Sequence, residues 1–488
     1  MRSFPLEGES AGYRSHMGRE RDGARQPIDV LWTVVAISVP VIVALISKLG
    51  AVDLAYQLRL GDEILRSGSI PRADSYTFTV EGAPWVDQQW GAQVLLELAH
   101  RLGGWPMLVV LGALLVGVSF WLINITCRSF GVSERTAALL TLGSFVLAAQ
   151  GLALRPQLFA VPLVCLVLWA TSTAHDTRSM RLVLVPLAAW ACSMLHGAFV
   201  LIPLISGLAW LEARRTRSLH ASRLLAVTAV SGVVTLATPL GITIWPNAYK
   251  LFRNPLVQSF ATEWRPPSFD DVSGWLLFVS ALSLGGFLAR RGRVAPWPAL
   301  LTLAVFLYLA LSAQRGLLWW GLATPVIVAQ LIGSQPARPT EQRDSWLVAS
   351  SLIAALVMSV LAAEPFHRSR PTEAVLSNAP VALSDAIRED LPAGVRLFSY
   401  QPWVSWIEYE VPTARAFLDT RFELLTDEVV DAYLGVSGGR HDWSEILDRW
   451  EVEAVAAPPS WTVVDLLRED SEWTIVHEDD DSVLFVRA

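Results

Sequence analysis

The chain has 488 residues, 53% of them hydrophobic and only 17% charged. Ordinary globular chains carry about 25% charge, so a single soluble domain is excluded. The net charge of −7 is split: residues 1–363 hold 28 Lys and Arg against 20 Asp and Glu, residues 364–488 hold 10 against 25. A long, apolar, mildly basic part thus precedes an acidic part, the wrong sign for a nucleic-acid-binding domain.

Residues 1–29 are polar and rich in Arg and Gly, and read as a disordered cytoplasmic tail. A bilayer core needs about 20 apolar residues per helix. Eleven runs are read as spans, over residues 30–50, 105–125, 136–152, 157–174, 182–195, 197–212, 222–238, 272–289, 296–313, 316–333 and 345–363. The fifth and sixth are short and split at Leu195-His196-Gly197. Alternate loops carry the Arg clusters, among them Arg128 and Arg135, Arg214 to Arg223, and Arg290 to Arg293. Positive loops face the cytoplasm, so the N-terminus is placed inside and the acidic C-terminal part outside. The cysteines, Cys127, Cys165 and Cys192, lie in or beside apolar runs, which excludes a disulfide framework or a Cys-based zinc or iron–sulfur site.

The first outer loop spans residues 51–104. Asp53–Leu65 is predicted as an amphipathic helix with Leu54, Leu58, Gly61 and Leu65 on one stripe, stopped by Gly68 to Pro71. Ser75–Val80 alternates like a strand, and Asp87–Leu102 is a second amphipathic helix. Residue physics alone reads this loop as an interfacial collar. Other outer positions are sparse and polar: Arg155 in Leu154–Gln157, His196, Glu263 in a second long loop at 239–271, and Arg315. With Asp53 they are expected to converge on one face. An ionisable group beside hydrocarbon is costly and is a functional candidate. The bland alternatives are Arg snorkelling to lipid phosphate and a helix-end hydrogen bond for His196.

Residues 364–374, with Pro365 and Pro371, read as a linker, and residues 375–488 as a soluble α/β domain. Its strands are predicted at 396–399, 415–418, 452–457, 473–477 and 482–486, its helices at 383–391, 427–433, 442–450 and 461–468. Val404–Tyr409 fits either type. The strand at 415–418 runs into Asp419-Thr420-Arg421. The chain has no glycine-rich phosphate loop, no paired-histidine zinc helix and no serine nucleophile elbow. Its histidines are scattered, so no cofactor is expected and a divalent metal has no evident ligand cluster.

Several of these segments, in this order, resemble bacterial multi-pass proteins with a GT-C-type glycosyltransferase fold. They are Val52–Gly61 leading into Gly68–Thr79, Leu154 to Gln157, His196-Gly197, Pro239 to Gly241, Glu263-Trp264 and Asp419 to Arg421. The resemblance implies a mostly α polytopic fold over residues 30–363, of about eleven membrane helices, with residues 375–488 as an extracytoplasmic α/β domain in the bacterial inner membrane. It also implies a polyprenyl-phosphate sugar as donor partner and an extracytoplasmic acceptor, with no nucleic acid. Asp53 then stands where the family has its catalytic base. The family pattern of Asp-x-Asp and Trp-Trp-His is here Ala51-Val52-Asp53 and Ala55-Tyr56-Gln57, and an expected Glu-Trp is Gln89-Trp90.

Transfer chemistry needs a base for the acceptor hydroxyl and cations for the leaving phosphate. Arg59, Arg155 and Arg315 are the candidate phosphate holders, since Arg grips phosphate bidentately. His196, Glu263, Asp419 and Arg421 are further site candidates. A non-catalytic relative that binds a lipid-linked glycan or a partner protein is the second reading, and a transporter the third.

Overall fold

A computed structural model describes residues 27–172, 179–292, 294–333, 368 and 370–488. The apolar runs become helices: α1 (Pro27–Ile46), α3 (Trp90–Ser129), α4 (Glu134–Ala148), α5 (Pro156–Ser172), α6 (Leu184–Leu195), α7 (Leu201–Arg215) and α8 (Ala221–Val234). Beyond the second long loop follow α11 (Val272–Arg290), α12 (Trp297–Ser312) and α13 (Gly316–Ile332). Three segments are long and apolar enough to cross a membrane by length and composition: Trp90–Ser129, Gly197–Arg215 and Val272–Arg290. Six shorter apolar helices accompany them among the described residues. The eleventh predicted span, 345–363, lies outside the described residues, as does most of 1–29.

The first outer loop departs from its reading in three places. The first span ends at Ile46, and Leu49–Gly50 forms a short strand, β1, before α2 (Ala51–Ser67) begins. Gly68, at φ 67°, ends α2 in the left-handed region that glycine tolerates. The predicted strand at Ser75–Val80 makes one bridge only, Thr77 with Ala416. The Asp74 carboxylate takes the Tyr76 and Thr77 amides, each at 3.2 Å, and bends the segment out of a ladder. The second amphipathic helix starts at Trp90 and continues into the second span. Its bend sits at Gly103 and Gly104, the latter at φ 64° and ψ −155°, so collar and span form one bent rod.

α2 does not lie out on lipid. Leu54 and Leu58 are fully buried. A Cβ on Gly61 would stand 2.3 Å from the Gln93 carbonyl, so α2 packs backbone-close on α3. This burial of the apolar stripe against protein is what fixes the outer loop in place.

In the second long loop the chain forms α9 (Ile244–Arg253) and α10 (Pro255–Phe260), then a 3₁₀ turn at Thr262–Trp264. Beyond α13 come α14 (Thr372–Val375) and β2 (Leu376–Ser377). β2 pairs parallel with β1, Leu49 opposite Leu376, so the start of the C-terminal domain lies against the start of α2.

The C-terminal domain contains α15 (Val381–Asp390), β3 (Arg396–Ser399), α16 (Gln401–Glu410), β4 (Arg415–Ala416) and α17 (Asp427–Ser437). It ends with α18 (Trp443–Arg449), β5 (Ala454–Ala457), α19 (Thr462–Glu469), β6 (Trp473–Glu478) and β7 (Val483–Arg487). The sheet order is β4-β3-β5-β7-β6, parallel at the first three strands and antiparallel at the last two. Alternate residues feed two cores: Leu397, Ala454 and Leu484 pack with Leu383 and Ile407, whereas Phe398, Val455 and Phe485 pack with Val429 and Val463. Helices therefore cover both faces, which explains the continuous apolar runs in the strands.

The ambiguous segment 404–409 is helix α16, because it has two partners. Trp403 and Ile407 face the sheet. Trp406 joins the core of the membrane part, with Trp105 at 5.9 Å, and Tyr409 lies 5.8 Å from Trp105. The Ser405 hydroxyl donates to the Ala51 carbonyl at 3.0 Å and accepts the Tyr56 amide at 2.9 Å, tying α16 to the first turns of α2.

Candidate functional site

Arg155 immediately precedes α5, Arg315 immediately precedes α13, and Glu263 lies in the 3₁₀ turn of the second long loop. Backbone bonds set their register: Gln314 N donates to Arg265 O at 2.9 Å and Arg315 N to Glu263 O at 3.1 Å. One carboxylate then holds two guanidinium groups. Arg155 Nη2 lies 2.7 Å from Glu263 Oε2, and Arg315 Nη2 donates to Glu263 Oε1. The Arg315 guanidinium also lies over the Trp264 ring, 4.8 Å from its centroid. These side chains stay partly open, Arg155 10%, Arg315 24% and Glu263 29% exposed.

His196 caps α6 with an extended backbone, φ −166° and ψ 152°, and its Nδ1 accepts the Ala198 amide at 3.0 Å. Burial first, then the charges of Arg315 and Arg155, push its pKa down to about 3. The ring is therefore neutral, with its proton on Nε2, a hydrogen-bond donor beside the two guanidinium groups. Gln157, in the first turn of α5, is 2% exposed, and neither amide atom has a partner among the described residues. Sequence reasoning passed over Gln157, although it closes the Leu154–Gln157 motif.

Asp53 is the third residue of α2, and its side chain lies outside the described residues. The N-cap position of the helix is Gly50. One turn on, Gln57 Nε2 donates to Gln89 Oε1 at 3.2 Å. Two of the positions that depart from the expected pattern, Gln57 and Gln89, thus touch each other. Gly91 is packed 2.8 Å, by a notional Cβ, from the Met194 carbonyl. This close approach brings the start of α3 to the end of α6, where His196 sits. Asp87 is buried beside Gln89 and Gln93, accepting Gln93 Nε2 at 2.9 Å. Burial, with Glu423 adding, pushes its pKa up to about 7.

Asp419 and Arg421 are joined to a different place. Arg421 Nε donates to Asp419 Oδ2 at 2.8 Å, and its Nη2 reaches both Asp419 and Asp74 of the first outer loop. The guanidinium lies 4.8 Å from the ring centroids of both Tyr76 and Trp85. Arg421 and Asp419 are each 2% exposed. Burial lowers the Arg421 pKa, but Asp419, Glu408 and Asp74 together raise it above the ordinary guanidinium value. Glu408 is buried nearby with neither oxygen partnered among the described residues, and burial followed by Asp419 raises its pKa well above the ordinary carboxylate value.

Arg59 belongs to this second group. It donates to the Glu408 carbonyl at 2.8 Å and lies 4.0 Å over the Tyr76 ring. Its described contacts join α2 to the C-terminal domain and do not include the Arg155–Glu263–Arg315 group. Asp74, which sequence reasoning did not single out, is the first-loop anchor of the second group. Among the described residues no three His, Cys, Asp or Glu side chains gather as a metal site.

An apolar bundle with a cation group at one end, a bent interfacial collar and an α/β domain docked on that collar has the architecture of a GT-C-type glycosyltransferase. ArnT from Cupriavidus metallidurans bound to undecaprenyl phosphate superposes with a TM-score of 0.54 at 14% identity, over 94% of this chain and 98% of that one. Its apo form gives 0.53 over the same shares. The arabinofuranosyltransferase AftD from Mycobacteria gives 0.54 at 15% identity, over 94% of this chain and 41% of AftD. At these identities the likeness establishes a common fold. No protein-family model and no curated protein sequence matches the chain.

Proposed function

We propose that the protein is an integral-membrane glycosyltransferase that moves a sugar from a polyprenyl-phosphate donor to an acceptor outside the bacterial inner membrane. The observation that carries this reading is the bracket of Arg155 and Arg315 around Glu263. Two guanidinium groups there grip the oxygens of one carboxylate. A phosphate offers the same paired oxygens as the Glu263 carboxylate and competes for the same donors. The fold is shared with a protein whose structure holds undecaprenyl phosphate. Eleven spans, a cytoplasmic N-terminus and an outer C-terminal domain belong to the same proposal.

In this reading the donor's prenyl tail lies in lipid and its phosphate between Arg155 and Arg315. His196 Nε2–H adds a neutral donor that stays in one protonation state through the neutral range. Asp53, at the start of α2, takes the acceptor hydroxyl proton. The tyrosine-flanked group of Asp419, Arg421 and Arg59 holds the acceptor-side domain against the first loop.

Sugar transfer from a panel of prenyl-phosphate donors, by protein in nanodiscs, tests the proposal. Asp53→Asn is expected to lower the rate by ~10²–10⁴-fold, as loss of a general base does. At the third helical position the substitution removes only a charge–dipole term of about 0.3–1 kcal/mol, so folding survives. Equal rates for the two proteins would remove Asp53 as base. The Gln57–Gln89 contact favours a second reading, a relative that binds the lipid-linked sugar without transferring it. Donor binding without turnover across the panel is the result that reading expects.

A further inference from the structure

The Arg155 and Arg315 group occupies the N-terminal ends of α5 and α13. At the opposite ends of these helices lies a cleft that opens to the surroundings and encloses a cavity of about 80 Å³. Leu168, Ile205, Leu208, Phe306 and Val326 form its apolar wall, from α5, α7, α12 and α13. Glu212, Ser218 and His220 stand at its polar mouth.

The mouth is strongly basic. Arg214, Arg215, Arg217 and Arg223 each lie one or two residues from a lining position, all four are exposed, and residues 213–223 contain no acid. The lining carboxylate Glu212 is neutralised by Arg215 at 2.6 Å. Leu219, between these arginines, is 94% exposed. Basic residues around an exposed apolar tip suit insertion at an anionic lipid surface.

The backbone adds a second observation. α7 ends in a two-bond turn, Ser218 N to Ala213 O at 2.8 Å and Arg217 N to Arg214 O at 3.2 Å. This Schellman closure places residue 217 in the left-handed region, where glycine is the usual occupant. Arg217 stands there at φ 54°. A bulky cation thus occupies a strained position at the mouth of the cleft. Strain of this kind is found where a side chain has work to do.

We propose that this cleft binds an anionic phospholipid, with part of one acyl chain entering between α5, α7, α12 and α13 and the headgroup phosphate on Arg217 and Arg223. Basic pockets between membrane helices recognise such headgroups. The proposal rests on the membrane reading and not on any transfer reaction.

The test is native mass spectrometry of detergent-purified protein incubated with equimolar phosphatidylglycerol and phosphatidylcholine. Wild type is expected to retain the anionic lipid preferentially. Arg217→Gly combined with Arg223→Ser should lower that preference by about 10–30-fold. Glycine suits the left-handed turn, so thermal unfolding should be unchanged or later, which separates lipid loss from misfolding. Ala209→Phe, which narrows the cleft, should reduce retention of both lipids. No preference in wild type, or the same preference in the double variant, would overturn the site. Equal retention of both lipids in all three proteins would mark annular lipid only and would also overturn it. Undecaprenyl phosphate binding at the far end should be unaltered in these variants, so this proposal and the transferase proposal fail separately.

Discussion

Two groups of arginines and carboxylates sit in this molecule, and they are built in opposite proportions. Around Arg421, two carboxylates share one cation and the group is sealed, with Asp74, Asp419 and Arg421 each at most 3% exposed. Around Glu263, two cations share one carboxylate and the side chains are 10–29% exposed. A sealed group with its charges matched by neighbours holds elements together. A partly exposed group in which two guanidinium groups grip one carboxylate can exchange that anion for another. Stoichiometry and exposure, more than residue type, distinguish a joint from a seat.

The largest expected effect is on the joint. Arg421→Met leaves Asp419 and Asp74 buried without their cation and should cost about 3–5 kcal/mol. Thermal unfolding in detergent reads this, and the first loop should become protease-sensitive with it. The same substitution in the open group should behave differently. Arg155→Gln or Arg315→Gln should weaken undecaprenyl phosphate binding by about 10–100-fold, the size of a charge-assisted hydrogen bond, with little change in unfolding. Loss of stability without loss of lipid binding would reverse the assignment of the two groups.

A smaller effect concerns Asp87. Its folded pKa is raised from 3.8 to about 7, so the folded state holds its proton more tightly than the unfolded chain does. The associated stability is full below about pH 4 and is lost as pH rises through about 7. Asp87→Asn should therefore add on the order of 2 kcal/mol at pH 8 and flatten the pH dependence of unfolding. The smallest effect is expected for Glu263→Gln. It removes the competing anion but leaves Arg155 and Arg315, so phosphate binding should tighten a few-fold. Weaker binding in that variant would make Glu263 an organiser of the arginines and not a competitor.

Much of the helical part was legible because apolar runs and polar turns alternate along the chain, and His196 sits at a visible break. Arg155, Glu263 and Arg315 could be singled out as polar residues at the ends of such runs. Their mutual contact could not, since Glu263 and Arg315 are 52 residues apart and nothing local encodes the pairing. The same holds more strongly for Arg421 and Asp74, 347 residues apart. Where local pattern and tertiary demand compete, pattern misleads. Ser75–Val80 alternates like a strand, yet the Asp74 carboxylate captures two of its amides. Val404–Tyr409 has no single period because α16 is buried on both sides. Arg59 reads as a candidate phosphate holder on the first-loop helix, yet α16 lies against that helix and the Glu408 carbonyl takes its hydrogen bond.

The pairing of Leu49 with Leu376, and of Thr77 with Ala416, has a bearing on how the protein is made. The first outer loop leaves the ribosome early, but the partners that close it are synthesised more than 300 residues later. At ~5–20 residues per second the loop waits tens of seconds for them. During that interval Arg59 and Asp74 have none of their C-terminal partners. The face shared by the first loop and the C-terminal domain is thus finished last, and a chain released before residue 421 would leave that loop unfastened.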